Sequence, residues 1–507
     1  MPRWDFEYRF GGHHLTQQRV SATWVERSSV LSPTAFVSSV AVQINPPFDF
    51  AAAAATASPM SGHGALSRVA DDGTSTVVFR GQFTRVAFGG SDEPVQITIS
   101  KTGNDDTALI PSAYEMVVPN AFGVFLEVMH NITAASQLPY ADPINFPDAA
   151  LRDVGAVYPL VFGGPGDASN PGSPGLIVDQ PGGNYQIMIA GHRVTPQNFQ
   201  WWWPQAVPAV NGTGTNALRN ASFTASDITH LSDARGRTVA TFTIDPAADN
   251  VDLDVDRHGG YFIAWTGGDA TPGGAGDVIR RIMRQSSVRF DFQRSAAALN
   301  RLNGYQLDGY INDQVAPLQW VTKALLPLLP CSLHSGVDGL YIKLWPWLDG
   351  GNDVAFALEA GTDFSPGSLV TYTASAAGTV NLQYKWRADT AQYIGTVEAS
   401  ADTSLWGAAG QTLNTRVEKM ETRAIWDDGT AHLVVQDRLR YGARPSRIRR
   451  YTCDPSKYGI GGTHELRAGM PVSITDAEVS WDGLIAWVDE IERSGDSMAV
   501  QIRIREW

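Results

Sequence analysis

The stretch from Asp277 to Trp347 constrains this chain most, because its elements can be read off in order. Gly267–Gly276, GGDATPGGAG, is a linker. The helix after it carries Val278, Ile279, Ile282 and Met283 on one face, the spacing of a buried stripe. A second helix, Ala296 to Asn303, is stopped by Gly304. Tyr305 to Ile311 alternates like a strand. Pro317 opens a third helix with Leu318, Val321, Leu325 and Leu328 on one stripe. Asp338-Gly339 supplies a turn, and Leu340 to Trp347 reads as a strand. The conspicuous residues here are Leu, Tyr, Trp and Pro, which pack. Nothing in the stretch offers a nucleophile, a metal-ligand set or a phosphate cradle.

Both flanks read as β-structure. Val77, Phe79, Gly81 and Phe83 alternate with Val78, Arg80, Gln82 and Thr84, and Val95, Ile97 and Ile99 alternate after the turn at Gly89-Gly90-Ser91. The expectation is a hairpin with one buried face. The Ala51–Ala55 run reads as a loop. Between residues 116 and 266, Tyr158 to Phe162 is a strand followed by a long Gly/Pro loop, and Tyr185 to Ala190 and Thr238 to Ile244 are strands. Towards the C-terminus, Ala431 to Leu439, Pro471 to Thr475, Leu484 to Ile491 and Met498 to Ile504 are expected strands. With 49 glycines and 29 prolines, many short strands and turns are favoured, and 507 residues allow three to four domains. The expected fold class is mainly β with an α/β unit.

Several classes of function are disfavoured by composition and motif. No window of about 18 apolar residues predicts a spanning helix, and MPRWDFEYRF has no apolar signal region, so the chain is expected to be made and kept in the cytosol. Cys331 and Cys453 are too few to staple a chain of this length or to fill a zinc or iron–sulfur site alone. The glycosylation-like triplets at Asn131, Asn211 and Asn220 are read as chance. A net charge of −14 argues against free DNA binding, although an acidic wall would let DNA slide past without sticking. There is no nucleophile elbow, zincin helix, P-loop or C-x-x-C. No catalytic, cofactor or metal residues are therefore assigned.

Four local features remain. Asp249, Asp252, Asp254 and Asp256 resemble a calcium loop, but Arg257 stands where its glycine belongs and no glutamate follows at the twelfth position. A strand with its aspartates outward is preferred. Trp201, Trp202 and Trp203 are read as packing or a subunit interface, with sugar stacking as the alternative. Arg438, Arg440, Arg444, Arg447, Arg449 and Arg450 fall within thirteen residues free of acids. They are read as a candidate interface, against nucleic-acid contact or a solvated face paired with local Asp and Glu. His13 and His14 are neighbours on a strand, so they point apart and do not chelate together.

The phrases LNGYQLDGYI (302–311) and GVDGLYIKLWP (336–346), in this order of elements, resemble the hub proteins at the tip of phage tails. The likeness is to the hubs of long non-contractile tails, whose architecture is similar to contractile baseplate hubs and type VI spike bases. It covers about seventy residues well and the flanks loosely. It implies a non-enzymatic scaffold, a homotrimeric ring that ends the tail tube, with two tube-type β domains in each copy. The implied domains are 1–115 (first tube-like β domain), 116–266 (β-rich inserted or peripheral domain), 277–347 (α/β unit), 348–400 (β-rich connection) and 401–507 (second tube-like β domain). The implied partners are a distal-tail or tail-tube ring protein, the tape measure protein and tip or fibre proteins. DNA passes only transiently through the lumen. The implied place is the virion's tail tip, after assembly in the host cytoplasm. The alternative is a carbohydrate-active or receptor-binding tail protein.

Overall fold

In the computed structural model the described residues are 3–27, 39–58, 61–88, 93–100, 108–110, 156–179, 183–206, 216–232, 236–245, 261–336, 339–345, 356–373, 378–400, 417–442, 446–459, 464–494 and 497–505. The N-terminal body contains β1 (Arg3–Phe10), β2 (His13–Gln17), β3 (Ser21–Arg27), β4 (Ser39–Ile44), α1 (Phe50–Thr56), β5 (His63–Val69), β6 (Ser75–Ala87) and β7 (Val95–Ser100). The strands run in the order β2-β1-β5-β6-β7-β4-β3. Alternation decides the faces. Val40, Val42 and Ile44 of β4 and Val95, Ile97 and Ile99 of β7 point inward onto Phe6, Tyr8 and Phe10. The expected β6–β7 hairpin is present. A bulge opposite Leu66 and Ser67 leaves Val78 as an extra residue, so Val78 and Phe79 are both buried and strict alternation fails there.

Ala51–Ala55 is helical rather than a loop. Asp49 caps the helix by accepting from Ala52 N–H at 3.0 Å, and Phe50 stacks on Phe10 at 4.8 Å between ring centres. Alanine is the best helix former, and the cap and anchor determine where the helix starts.

The second body begins with β8 (Leu160–Phe162), β9 (Gly166–Asp167), β10 (Asn170–Pro171) and β11 (Ser173–Asp179). It continues with β12 (Tyr185–Ala190), β13 (Phe199–Ala206), β14 (Asn216–Phe223), β15 (Thr229–Ser232), β16 (Thr238–Ile244) and β17 (Tyr261–Trp265). Seven of these form an antiparallel sheet, β14-β13-β17-β11-β12-β16-β15. The expected strands at 185–190 and 238–244 are β12 and β16. The expected long loop after Phe162 instead holds β9, β10 and the start of β11. Pro174 is tolerated because this half of β11 pairs only with β17, whereas β12 joins from Leu176 onward.

The α/β unit follows, with α2 (Ala275–Met283), α3 (Phe292–Leu302), β18 (Gly309–Ile311), α4 (Pro317–Trp320), β19 (Cys331–Gly336) and β20 (Gly339–Leu344). Val278, Ile279, Ile282 and Met283 are buried, as their spacing predicts. The two helices cross closely at Gly276, where a Cβ would lie 1.8 Å from Leu299 O. After α4 the coil widens into a π turn over Val321–Leu325 and tightens over Leu326–Leu328, keeping the predicted stripe buried. Only Gly309–Ile311 of the expected strand at 305–311 is a strand, paired with β8. The residues before it spend their amides elsewhere: Gln306 on Thr430 Oγ1, Leu307 on Gly273 O and Asp308 on Ala424 O. The expected strand at 340–347 ends at Leu344, and Trp345 N–H turns to Pro330 O.

The last elements are β21 (Phe356–Glu359), β22 (Phe364–Thr373), β23 (Thr379–Arg387), β24 (Gln392–Ser400), β25 (Val417–Glu421) and α5 (Asp428–Gly442). After these come β26 (Ser446–Cys453), α6 (Pro455–Tyr458), β27 (Pro471–Asp476), β28 (Trp481–Ser494) and β29 (Ser497–Arg505). The expected strand at 431–439 is helix α5. Ala431, Val434 and Val435 are buried at helical spacing, and Asp427 caps the first turn through Thr430 N–H at 2.6 Å. The cores do not follow the expected boundaries at 348 and 401. The β23–β25 sheet and α5 share the core of the α/β unit, whereas β21 and β22 join the terminal sheet.

Candidate functional site

The candidate site is a seam between two β bodies. β28 is fourteen residues long, and its partners change along its length. Its first part pairs with β27, Trp487 with Pro471 to Trp481 with Asp476, and its far side pairs with β29. Its last part, Glu490 to Ser494, pairs antiparallel with Arg27 to Thr23 of β3. The N-terminal and C-terminal bodies thereby become one sheet of 13 strands, although each keeps its own hydrophobic core. The expected strand at 484–491 is shorter than β28, and the residues that make most of the seam lie beyond its end. The signal available was ERS after Ile491, which continues the alternation with Arg493 inward. Arg493 is buried, and its Nη2 donates to Leu466 O at 2.9 Å.

The arginine run is not one patch. Arg438 and Arg440 lie on α5, and Arg447, Arg449 and Arg450 lie on β26 of the terminal sheet. Arg444 falls outside the described residues. Arg438 Nε donates to Glu418 Oε1 at 2.9 Å, Arg440 is exposed, and Arg450 pairs with Glu492. Arg447 stands 5.5 Å from the Trp481 ring centre. Arg449 is buried. Its Nη1 donates to Asp476 Oδ2 at 2.6 Å, its Nε donates to Gly367 O at 3.0 Å, and its Nη2 meets Glu478. Tyr451 donates to the same Asp476 oxygen at 2.8 Å; burial and this carboxylate push its hydroxyl well above the usual range. Local carboxylates thus satisfy Arg438, Arg449 and Arg450, so the described arginines do not form one common patch.

The tryptophan run is β13. Trp201 and Trp203 stack at 4.5 Å on one face of the sheet, against Phe242 and Tyr261, and Trp202 points to the other face. All three are buried, so they are core residues and not an exposed platform for sugar or a partner. His13 and His14 have separate neighbours: His13 stacks on Phe48 at 4.0 Å, and His14 Nε2 lies 2.5 Å from Glu7 Oε1. Asp249, Asp252, Asp254 and Asp256 lie outside the described residues. Among the described residues no group of three His, Cys, Asp or Glu is arranged to hold a metal, and no helix is long and apolar enough to cross a membrane. Cys331 and Cys453 are free and buried, and burial raises both thiols, that of Cys453 to about 12.

These features describe a multidomain, mainly β protein built around a fused pair of β bodies. No family model and no curated protein matches the chain. Among solved structures it is similar to the 43 kDa tail protein of prophage MuSo2 from Shewanella oneidensis, with 10% identity, 99% of this chain and 98% of that chain covered, and a TM-score of 0.40. It is similar to a tail protein from Neisseria meningitidis MC58, with 9% identity, 99% and 97% covered, and a TM-score of 0.39. It is also similar to prophage tail protein gp18 from Listeria monocytogenes EGD-e, with 6% identity, 98% and 94% covered, and a TM-score of 0.34.

Proposed function

We propose that the chain is a structural hub of a bacteriophage tail. Three copies form a ring that ends the tail tube, leaves a lumen for DNA and carries tip and fibre proteins. The observation that supports this reading is the seam at β3 and β28. It joins two separately cored β bodies edge to edge within one chain. An edge strand offers unpaired N–H and C=O groups, and closing the sheet on itself removes the hazard. Among the described residues the main path of the sheet still ends at β2 and β22, so the same edge-to-edge step is available between copies. Two bodies per chain and three chains make a pseudo-six-fold ring, the symmetry needed to meet a six-fold tube. A tail-tube or distal-tail ring and the tape measure protein are the proposed neighbours above it.

No catalytic role accompanies the proposal. The residues most suggestive of sugar binding, Trp201 to Trp203, are consumed by the core. The test is native mass spectrometry of the purified full chain together with micrographs of the particle labelled for it. The expected results are a trimer with a central opening and a label on the tail axis. A monomer at micromolar concentration, or a label on the side fibres, overturns the reading.

A further inference from the structure

A cleft of about 540 Å3 opens where the α/β unit meets the β24–β23–β25 sheet. One wall is formed by residues 418 to 424 without a gap, and the other by residues 310 to 313. Successive side chains of a strand point to opposite faces, so a cavity that touches every residue of a run meets the strand's edge, not one face. Both edges are unpaired among the described residues: β25 pairs only with β23, and β18 only with β8. At the inner end Asp308 N–H donates to Ala424 O at 2.8 Å, so the walls begin one hydrogen bond apart and part from there. Trp320, Lys323 and Leu328 also line the cleft.

The pairing shows which backbone groups face the cleft. Thr422 N–H donates to Gln383 O at 3.0 Å, towards β23. Backbone groups alternate between the two edges of an extended strand, so Glu418 and Met420 also spend theirs on β23. The N–H and C=O of Lys419 and Glu421 therefore face the cleft. Their side chains are exposed, lie two residues apart on one face, and have no ion-pair partner among the described residues. A bare edge in the open would template aggregation, but a recessed one admits a single strand and excludes another sheet.

We propose that this cleft is a strand-acceptor site: it binds an extended segment of another polypeptide by β-addition to the Lys419–Glu421 edge. Charge selects the segment. Cross-strand neighbours of opposite sign attract. An antiparallel guest therefore places an acidic residue opposite Lys419 and a basic residue opposite Glu421, reading basic-x-acidic from its N-terminus. The site does not depend on the tail-hub reading, and it is tested on the full chain alone.

The probes are two labelled peptides, TVKVEVT and its charge-swapped form TVEVKVT, titrated by fluorescence anisotropy, with amide exchange followed at Val417–Glu421. The expected result is saturable binding of the first peptide, slowed exchange at Lys419 and Glu421, and roughly fivefold weaker binding of the second. Lys419→Pro deletes a donor on the cleft edge only, and it abolishes binding while β23 pairing survives. Lys419→Ala keeps the donor, weakens the first peptide by about twofold and narrows the preference between the two, which Glu421 alone then sustains. If Lys419→Pro does not fold, the alanine variant and wild-type exchange still decide. The proposal is overturned if neither peptide binds, if both bind equally, if Lys419→Pro binds normally, or if the two amides are already protected in the free chain.

Discussion

Buried charge is the strongest lever at the residue scale. Arg449 and Asp476 are 3% and 1% exposed, and they share their network with Tyr451, Glu478 and the Gly367 carbonyl. Asp476→Ala leaves a buried guanidinium without its main counterion, a loss of about 3–5 kcal/mol. A lowered urea midpoint for the terminal β body checks this, with Glu478→Ala, at an exposed carboxylate, expected to cost much less. Two histidines give a pH dependence of known sign. His192 and His334 are held neutral by burial first, then by nearby Arg281 and by Lys343 and Arg294 respectively, and both fall to about 3. The unfolded chain takes up these protons near 6.5 and the folded chain does not. Stability is therefore present above about 6.5 and is lost as pH falls towards 3, by up to ~1.4 kcal/mol per pH unit for each histidine. Urea midpoints between pH 7 and 5 should show this slope, and His192→Gln should reduce it.

Local signals and tertiary packing disagree in instructive places at the scale of elements. Helix α2 was legible because Val278, Ile279, Ile282 and Met283 repeat at helical spacing. Helix α5 was not, because valines and β-prone neighbours mask the Ala431, Val434, Val435 stripe. The readable sign was Asp427 three residues before Thr430. Asp427→Ala should cost about 1 kcal/mol, measured as a lower unfolding midpoint of the α/β unit and faster amide exchange in the first turn of α5. Helix α1 failed for a related reason, since an alanine run has no stripe and only Asp49 and Phe50 mark its start. The tryptophan run was not read as a strand, although period-two alternation places its rings. Whether either face was covered depended on strands far away in sequence.

The fused sheet governs the whole molecule. β3 and β28 meet across more than 450 residues of chain, and neither carries a local mark of the other. If open edges of the same kind close a ring of three copies, association stabilises the fold by mass action. The thermal midpoint should then rise with protein concentration over the micromolar range, as scanning calorimetry would show, and a concentration-independent midpoint would argue for a self-sufficient monomer. The arginine run illustrates the opposite lesson: six neighbours in sequence looked like one surface, but the fold divides the five described ones between a helix and a strand in different cores.

The sequence by itself determined the mainly β class, the α/β unit between two β regions, and the stripes of α2 and β7. These follow from periodicity, which is a property of neighbouring residues. Tertiary structure alone decided that the two β regions share one sheet, that Asp476 neutralises Arg449, that the tryptophans are covered, and that β25 and β18 leave a cleft between edges unpaired among the described residues. Each of these depends on groups brought together from distant parts of the chain. A hydrogen bond or ion pair between such groups leaves no periodic trace in either segment.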